Sequence, residues 1–212
     1  MIKINEIFYS IQGESTLVGL PTLFIRTSGC HLRCTYCDTT YAYNEGELMS
    51  NEALLAEVHR QNPKYICITG GEPLLQKDIF SFMKDLCDQS YFVSLETSGS
   101  ISCMAVDPRV RKIIDVKTPD SGAKDTFHPE NLNLADVNTE FKFVICTEKD
   151  FDWAENFVTE HRLIDKYTVL YSPSFDKIDP KLLAEKILKK KSNARLQLQL
   201  HKYIWSACTR GV

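Results

Sequence analysis

The sequence lacks any run of about 18 apolar residues, the minimum for a membrane-spanning helix, so no transmembrane segment is expected. Residues 1–6 show no basic stretch followed by an apolar one, so no secretion signal is expected either. A balance of 25 basic against 28 acidic residues excludes a predominantly basic, nucleic-acid-binding surface. With 212 residues, 43% of them hydrophobic, and no linker or repeat, the chain fits a single globular domain spanning 1–212.

The cysteines give the first functional signal. There are eight of them, and without a secretion signal they are expected to be thiols in a reducing cytoplasm. Three cluster in one short segment, Cys30, Cys34 and Cys37, whereas the other five are scattered singly. We interpret Cys67, Cys87 and Cys146, which lie in apolar runs, as small core residues.

The order of apolar patterns predicts an α/β fold with a mostly parallel sheet. From residue 64 onward the predicted order is β-α-β-β-β-α-β-α-β, and this alternation places helices against parallel strands. The predicted strands are Ile4–Ile11, Thr22–Thr27, Lys64–Thr69, Tyr91–Thr97, Arg111–Lys117, Glu140–Cys146, Tyr167–Ser172 and Ala194–His201. The predicted helices are Asn51–Arg60, Lys77–Asp88, Phe151–His161 and Asp179–Lys191. Thr118–Asn138 reads as a long loop with room for local structure.

The spacing of the clustered cysteines favours a soft metal centre. Three residues separate Cys30 from Cys34 and two separate Cys34 from Cys37, so a short loop can wrap several thiolates around one centre. Three ligands to a four-iron cluster leave one iron open, which is typical of a reactive site. The alternatives are a zinc site that includes His31, and buried thiols with no metal.

The cysteine loop resembles the signature of the radical S-adenosylmethionine (radical SAM) superfamily. Tyr36 stands before the last cysteine, and Gly70-Gly71-Glu72-Pro73 follows a buried strand, as in that superfamily. The resemblance implies an incomplete (β/α) barrel in which Cys30, Cys34 and Cys37 hold a [4Fe–4S] cluster. It also implies that the open iron binds S-adenosylmethionine and that an external one-electron reductant, such as flavodoxin or ferredoxin, reduces the cluster.

Further motifs narrow the resemblance to one family. Ile11-Gln12-Gly13-Glu14-Ser15, Asp38-Thr39, Glu96-Thr97-Ser98-Gly99 and His201-Lys202-Tyr203 together resemble the 7-carboxy-7-deazaguanine synthases of queuosine precursor synthesis. The resemblance covers nearly the whole chain. It implies that a 5′-deoxyadenosyl radical abstracts hydrogen from C6 of 6-carboxy-5,6,7,8-tetrahydropterin, whose ring then contracts to 7-carboxy-7-deazaguanine with loss of ammonia.

The resemblance also implies residue roles. The expected substrate-binding residues are Ile11, Gln12, Gly13, Glu14, Arg26, Thr97 and His201, with the Arg26 guanidinium on the substrate carboxylate. The expected S-adenosylmethionine-binding residues are Tyr36, Cys37, Asp38, Gly70, Gly71, Glu72, Gly99, Asp115, Val116 and Lys117. Thr39 is expected to ligate Mg²⁺ through its hydroxyl, because Mg²⁺ prefers oxygen ligands. No general acid or base is assigned.

Some features depart from the family pattern, and two other functions stay open at this point. Many relatives carry Ser-Pro-Lys where this chain has Asp115-Val116-Lys117. A glycyl-radical activase would share the cysteine loop but typically has Cys-His-Asn in place of Cys37-Asp38-Thr39. A metal-binding module without catalysis is the other alternative. The expected partners are the small pterin substrate, the reductant and a second copy of the chain in a homodimer; nucleic acid and membrane are not expected.

Overall fold

The computed structural model describes residues 1–206 and 209–212 of the chain. Over those ranges the backbone forms one nine-stranded sheet and six α-helices. The strands are β1 Ile2–Ile11, β2 Pro21–Thr27, β3 Glu47–Met49, β4 Tyr65–Gly70, β5 Phe92–Thr97, β6 Arg111–Asp115, β7 Thr139–Ile145, β8 Thr168–Pro173 and β9 Arg195–Leu196. The helices are α1 Asn51–Gln61, α2 Ile79–Asp88, α3 Glu130–Leu134, α4 Glu148–Glu160, α5 Pro180–Lys190 and α6 His201–Ile204.

The sheet is an open barrel. Its strand order is β3-β1-β2-β4-β5-β6-β7-β8-β9, and every pair from β2 to β9 is parallel. Strand β1 runs antiparallel to both β2 and β3. In the described sheet the two edge strands β3 and β9 do not pair with each other, so the barrel is incomplete. This confirms the predicted fold class. From residue 64 onward the predicted elements occur in the predicted order, with two short helices added, α3 between β6 and β7 and α6 after β9.

Local sequence explains most helix boundaries. Ser50 accepts a hydrogen bond from the Ala53 amide at 3.2 Å and so caps α1. Asp179 caps α5 in the same way, and Pro180 occupies the first position of that helix. Helix α4 begins three residues before its predicted start because Thr147 caps it. Among the described helices, none has the length and apolar character needed to cross a membrane.

One core holds the sheet and its helices together. Strands β4 and β7 are buried along nearly their whole length because the helices cover one face and the barrel interior the other. Helix α2 contributes Ile79, Phe82, Met83 and Leu86 to this core, in the predicted spacing. Cys67, Cys87 and Cys146 are buried, as predicted for small core residues.

The predicted final strand is largely wrong. Only Arg195–Leu196 pairs with β8, and His201 begins helix α6 instead of ending a strand. In the alternating stretch of residues 195–200, Arg195 is exposed, but Gln197 is buried and its amide donates to the Ser15 carbonyl at 2.9 Å. The Gln199 amide donates to Glu14 Oε1 at 2.8 Å. The loop of residues 12–20 offers these partners, so the segment leaves the sheet to bond to it. The three-residue strand β3 was not predicted, whereas the long loop does contain the predicted local structure, α3 and a turn at Pro119–Ser121.

Candidate active site

A single cavity of about 520 Å³ collects most of the predicted site residues. It opens at the carboxyl ends of the parallel strands, where β4, β5 and β6 finish, and extends into the barrel. The predicted residues that line it are Ile11, Gln12, Gly13, Glu14, Arg26, Cys30, Cys34, Tyr36, Cys37, Asp38, Thr39, Gly70, Gly71, Thr97, Asp115, Lys117 and His201.

The loop after β2 presents its three cysteines to this cavity. All three thiols are free and partly buried. Burial raises the pKa of the Cys30 and Cys34 thiols. The turn after β4 holds the loop in place, because the Glu72 amide donates to the Gly29 carbonyl at 2.8 Å. A Cβ on Gly71 would lie 2.2 Å from the Gly29 oxygen, so this close approach requires a glycine.

These thiols suit a multi-iron cluster better than a single metal ion. Within residues 1–206 and 209–212, no group of three His, Cys, Asp or Glu side chains is placed to hold one ion, as the zinc alternative requires. An iron–sulfur cluster takes one thiolate per iron, so its ligands stand further apart. Cys30, Cys34 and Cys37 face one cavity together, which is the arrangement that such a cluster needs.

Two buried polar atoms next to the cysteine loop are suited to bind a polar ligand. Neither the Tyr36 hydroxyl nor the Asp115 Oδ1 finds a hydrogen-bond partner in the described part of the chain. Lys117 Nζ lies 2.8 Å from Asp115 Oδ2 and 5.5 Å from the centre of the Tyr36 ring. Burial, reinforced by the Asp115 charge, raises the pKa of Tyr36 well above its ordinary value, so its hydroxyl remains a donor. This pocket suits a polar cofactor that carries both donors and acceptors.

Three predicted cofactor residues do not line the cavity. The Glu72 carboxylate is fully buried and accepts hydrogen bonds from the Thr97 hydroxyl at 2.9 Å and from the Ser98 amide at 2.8 Å. Gly99 lies in a left-handed turn with φ of 70°, where a Cβ would lie 2.7 Å from Ile114. Val116 is a core residue. Glu72, Gly99 and Val116 therefore lie behind the residues that line the cavity. Their direct contacts with a cofactor stay predictions.

Arg26 lies on β2 and lines the same cavity. Its Nε donates to Glu6 Oε1 at 2.7 Å, and the Tyr41 hydroxyl donates to the same oxygen at 2.8 Å. Arg26 and Glu6 are cross-strand neighbours in the β1–β2 pairing. This ion pair uses Nε and leaves the two terminal nitrogens of the guanidinium for a planar anion in the cavity. Burial alone would lower the pKa of Arg26, but the nearby Tyr41, Glu6 and Glu96 raise it. Arg26 therefore stays protonated.

Residues 12–14 close the cavity from the side of the open barrel edge. The Gln12 amide donates to Glu96 Oε1 at 3.3 Å, and Glu14 forms a 2.6 Å ion pair with Lys142. The Gly13 carbonyl accepts from the Leu200 amide at 3.0 Å. A Cβ on Gly13 would lie 2.2 Å from the His201 ring. The glycine therefore lets the imidazole of α6 reach the cavity wall.

Asp38 and Thr39 extend the cysteine loop toward α6. The Thr39 hydroxyl donates to Asp38 Oδ1 at 2.8 Å, and Lys202 Nζ lies 2.6 Å from Asp38 Oδ2. Burial would raise the pKa of Asp38, but the Lys202 ammonium outweighs it and lowers that pKa. The Thr39 hydroxyl oxygen thus lies beside the ionised Asp38 carboxylate, whose charge is balanced by the Lys202 ammonium.

Sequence reasoning missed several residues of the cavity wall. They are Tyr41, Glu96, Lys142, Gln199, Lys202 and Arg210. One signal was available for Lys142, because a lysine inside an apolar parallel strand is rare unless it is paired. Glu96 and Lys202 stand within the motifs quoted above, but no role was assigned to them. Tyr41, Gln199 and Arg210 lie in segments whose spatial neighbours depend on the fold.

The C-terminal segment also reaches the cavity. Residues 209–212 line it, and the Arg210 guanidinium stacks 3.6 Å from the centre of the Tyr41 ring. Arg210 also contacts Glu45 at 3.3 Å. Residues 209–212 therefore form part of the cavity wall. Cys208, for which the sequence offered no partner, lies outside the described residues.

Sequence comparison agrees with this geometry. The pattern of the radical SAM superfamily matches residues 24–121, which include the cysteine loop and the turn after β4. A 7-carboxy-7-deazaguanine synthase from Chlorobaculum tepidum is 42% identical over 214 residues, covering 100% of this chain and 97% of its own length. A second, from Koribacter versatilis, is 40% identical and covers 100% of both chains.

Comparison with solved structures agrees on the fold. The crystal structure of QueE from Escherichia coli superposes with a TM-score of 0.80 at 24% identity and covers 94% of each chain. Streptococcus suis SuiB bound to S-adenosylmethionine gives a TM-score of 0.54 at 14% identity, covering 80% of this chain and 48% of SuiB. At these identities the likeness concerns the fold alone.

Proposed function

This chain belongs to the family of 7-carboxy-7-deazaguanine synthases, and from that premise we propose that it contracts the ring of 6-carboxy-5,6,7,8-tetrahydropterin to 7-carboxy-7-deazaguanine with loss of ammonia. One observation carries the proposal: the three loop cysteines and the Arg26 guanidinium line the same cavity of about 520 Å³. The cavity thus offers both soft metal ligands and a fixed cation for a carboxylate. The product is a precursor of queuosine. We expect the radical SAM domain to span residues 1–212.

The cysteine side of the cavity is assigned to the cluster and its cofactor. Cys30, Cys34 and Cys37 would hold a [4Fe–4S] cluster. Bound there, the cluster and S-adenosylmethionine supply the radical chemistry that starts the reaction. The protein's own part is to bind and orient this cofactor through Tyr36, Cys37, Asp38, Gly70, Gly71, Glu72, Gly99, Asp115, Val116 and Lys117. The unpaired Tyr36 hydroxyl and Asp115 oxygen support this assignment, because each needs a polar partner.

The part of the cavity lined by Arg26 and residues 11–14 is assigned to the pterin. Arg26 would bind the substrate carboxylate through its terminal nitrogens, since its Nε is engaged by Glu6. The backbone of residues 11–13 and the Glu14 carboxylate would meet the ring, with Thr97 and His201 as further contacts. Gly13 packs against Leu200 and His201 at this part of the cavity wall, which would help to shield a bound substrate from water.

The remaining assignments concern a second metal and the partners. Thr39 would ligate Mg²⁺ with its hydroxyl oxygen, together with the substrate carboxylate, because a single neutral oxygen holds Mg²⁺ weakly. Flavodoxin or ferredoxin would deliver the electron, and the chain would act as a homodimer in the cytoplasm. The free thiols among the described cysteines support a reducing compartment.

An anaerobic turnover assay tests the proposed function. The reconstituted protein is incubated with S-adenosylmethionine, dithionite and 6-carboxytetrahydropterin, and the product is identified by its mass and ultraviolet spectrum. We expect 7-carboxy-7-deazaguanine, and we expect none with a Cys34→Ala variant. If S-adenosylmethionine is consumed while the pterin stays unchanged, the proposal is wrong and an activase of another protein becomes the better interpretation.

A further inference from the structure

Lys142 places a buried ammonium group inside the barrel. It lies in the middle of β7, a strand whose residues are all buried, and its side chain is 10% exposed. A buried charge is costly unless an opposite charge and hydrogen bonds compensate it. Lys142 Nζ lies 2.6 Å from Glu14 Oε2, across 128 residues of sequence. Strand β7 thereby fixes the Glu14 side chain of the loop formed by residues 12–20.

Gln199 holds the same carboxylate from the other side. Its Nε2 donates to Glu14 Oε1 at 2.8 Å, while the Glu14 amide donates to Gln12 Oε1 at 3.1 Å. Among the residues that the structure describes, each Glu14 oxygen thus accepts one hydrogen bond. A carboxylate oxygen can accept two, so both oxygens keep a lone pair for a donor in the cavity, which Glu14 lines.

The charges around Glu14 keep it ionised. Burial alone would raise its pKa, but the Lys142 ammonium and the Gln199 amide lower it to about 2. Burial likewise opposes the charge of Lys142, yet Glu14, Asp115 and Glu96 raise its pKa. The other ionisable group that acts on Glu14 is His201 of α6, which also favours the carboxylate. Lys142 is the fixed cation among these groups.

We propose that Lys142 is a positioning residue that holds Glu14 as an oriented, ionised double acceptor for the N–H donor edge of the pterin ring. The proposal rests on the proposed function and adds to it a residue that selects the ligand. A pterin offers an amino group and a ring N–H side by side, which match the two free acceptor positions of a fixed carboxylate. A ligand with a hydrogen-bond acceptor on that edge would be repelled by the Glu14 carboxylate and would bind poorly.

The first test removes the ammonium. Lys142→Met and Lys142→Gln are compared with the wild type as the cluster-loaded enzyme with S-adenosylmethionine, and the Kd of 6-carboxytetrahydropterin is measured between pH 6 and 8.5. Without the cation, burial raises the pKa of Glu14, so the carboxylate is protonated at the lower pH values. We expect at least tenfold weaker binding than wild type at pH 6, with a variant-to-wild-type ratio that approaches one as the pH rises. Substrate titration is common to all proteins and cancels in this ratio.

A matched control separates positioning from structural loss. Lys112 lies in the neighbouring strand β6, is equally buried, and pairs with Asp136 at 3.0 Å, but it does not line the cavity. We expect Lys112→Met to lower the melting temperature while leaving the substrate Kd and its pH profile unchanged. The double variant Glu14→Gln, Lys142→Met should bind weakly with a pH-independent ratio to wild type, because its neutral amide cannot titrate.

Two results would overturn the proposal. One is a Lys142 variant with wild-type affinity at pH 6. The other is a loss of affinity whose ratio to wild type does not change with pH, as a general structural defect would give. Both are judged against a wild type that binds and converts the pterin. A wild type that does neither contradicts the proposed function itself, so the two failures are distinguishable.

Discussion

Lys202 Nζ lies 2.6 Å from Asp38 Oδ2 and joins helix α6 to the loop that carries the cysteines. The Lys202 side chain is only 7% exposed, and its ammonium also lies 5.5 Å from the Phe175 ring. On the other side, Asp38 accepts the Thr39 hydroxyl at 2.8 Å. Helix α6 therefore places the Lys202 ammonium near the Thr39 hydroxyl, which we propose as a ligand of Mg²⁺.

Removing this cation should strengthen Mg²⁺ binding. The Lys202→Met variant leaves Asp38 without its counter-charge, so the negative potential beside Thr39 rises and a divalent cation is attracted. We expect the Mg²⁺ concentration for half-maximal stimulation of turnover to fall several-fold. The same titration on Lys181→Met, an exposed lysine of α5, should match the wild type. An unchanged or higher Mg²⁺ requirement in Lys202→Met would contradict the placement of Mg²⁺ at Thr39.

Replacing Arg26 should weaken substrate binding much more than cofactor binding. In Arg26→Ala the substrate carboxylate loses a charge-assisted partner in a partly desolvated site, a loss on the order of 2–5 kcal/mol. We expect at least a tenfold rise in the Kd of the pterin by equilibrium binding, with an unchanged cluster absorption spectrum. Arg60→Ala, which removes an exposed cation on α1, is the control. Equal losses for substrate and S-adenosylmethionine would assign Arg26 to the fold.

Adding one methyl group at Gly71 should disturb the cysteine loop. In Gly71→Ala the new Cβ would lie 2.2 Å from the Gly29 oxygen and 2.9 Å from the Cys30 Cβ, so the loop must shift. We expect the iron and sulfide content after reconstitution to fall well below that of the wild type. Gly19→Ala is the matched control, because its left-handed backbone is strained while its Cβ meets no atom within 4 Å. Full cluster content in Gly71→Ala would show that the loop tolerates the shift.

The local parts of the fold could be predicted from the sequence, and the contacts between distant segments could not. Helix α1 and strand β4 depend on neighbouring residues, and both predicted elements are confirmed to within one residue at each end. The final predicted strand failed because the partners of Gln197 and Gln199 are Ser15 and Glu14, more than 180 residues away. An alternating pattern does not reveal such partners.

The same limit applies to the candidate site. The motifs identified the cysteine loop and the turn after β4 because each is contiguous in sequence. Lys142 belongs to no motif and Lys202 had no role within its motif, and both acquire their roles only when the barrel brings them to Glu14 and Asp38. Charged residues that neutralise a buried partner are therefore the part of this site that required the structure.

The most direct test of the central claim is the iron and sulfide content of the anaerobically reconstituted protein, followed by the electron paramagnetic resonance spectrum of its reduced cluster with and without S-adenosylmethionine. Three thiolates and one open iron predict about four irons and four sulfides per chain, and a spectrum that changes when S-adenosylmethionine binds. Cys34→Ala should lose both properties, whereas Cys87→Ala, a buried cysteine of α2, should keep them. One tightly bound zinc with no iron uptake, or a full cluster in Cys34→Ala, would contradict the account.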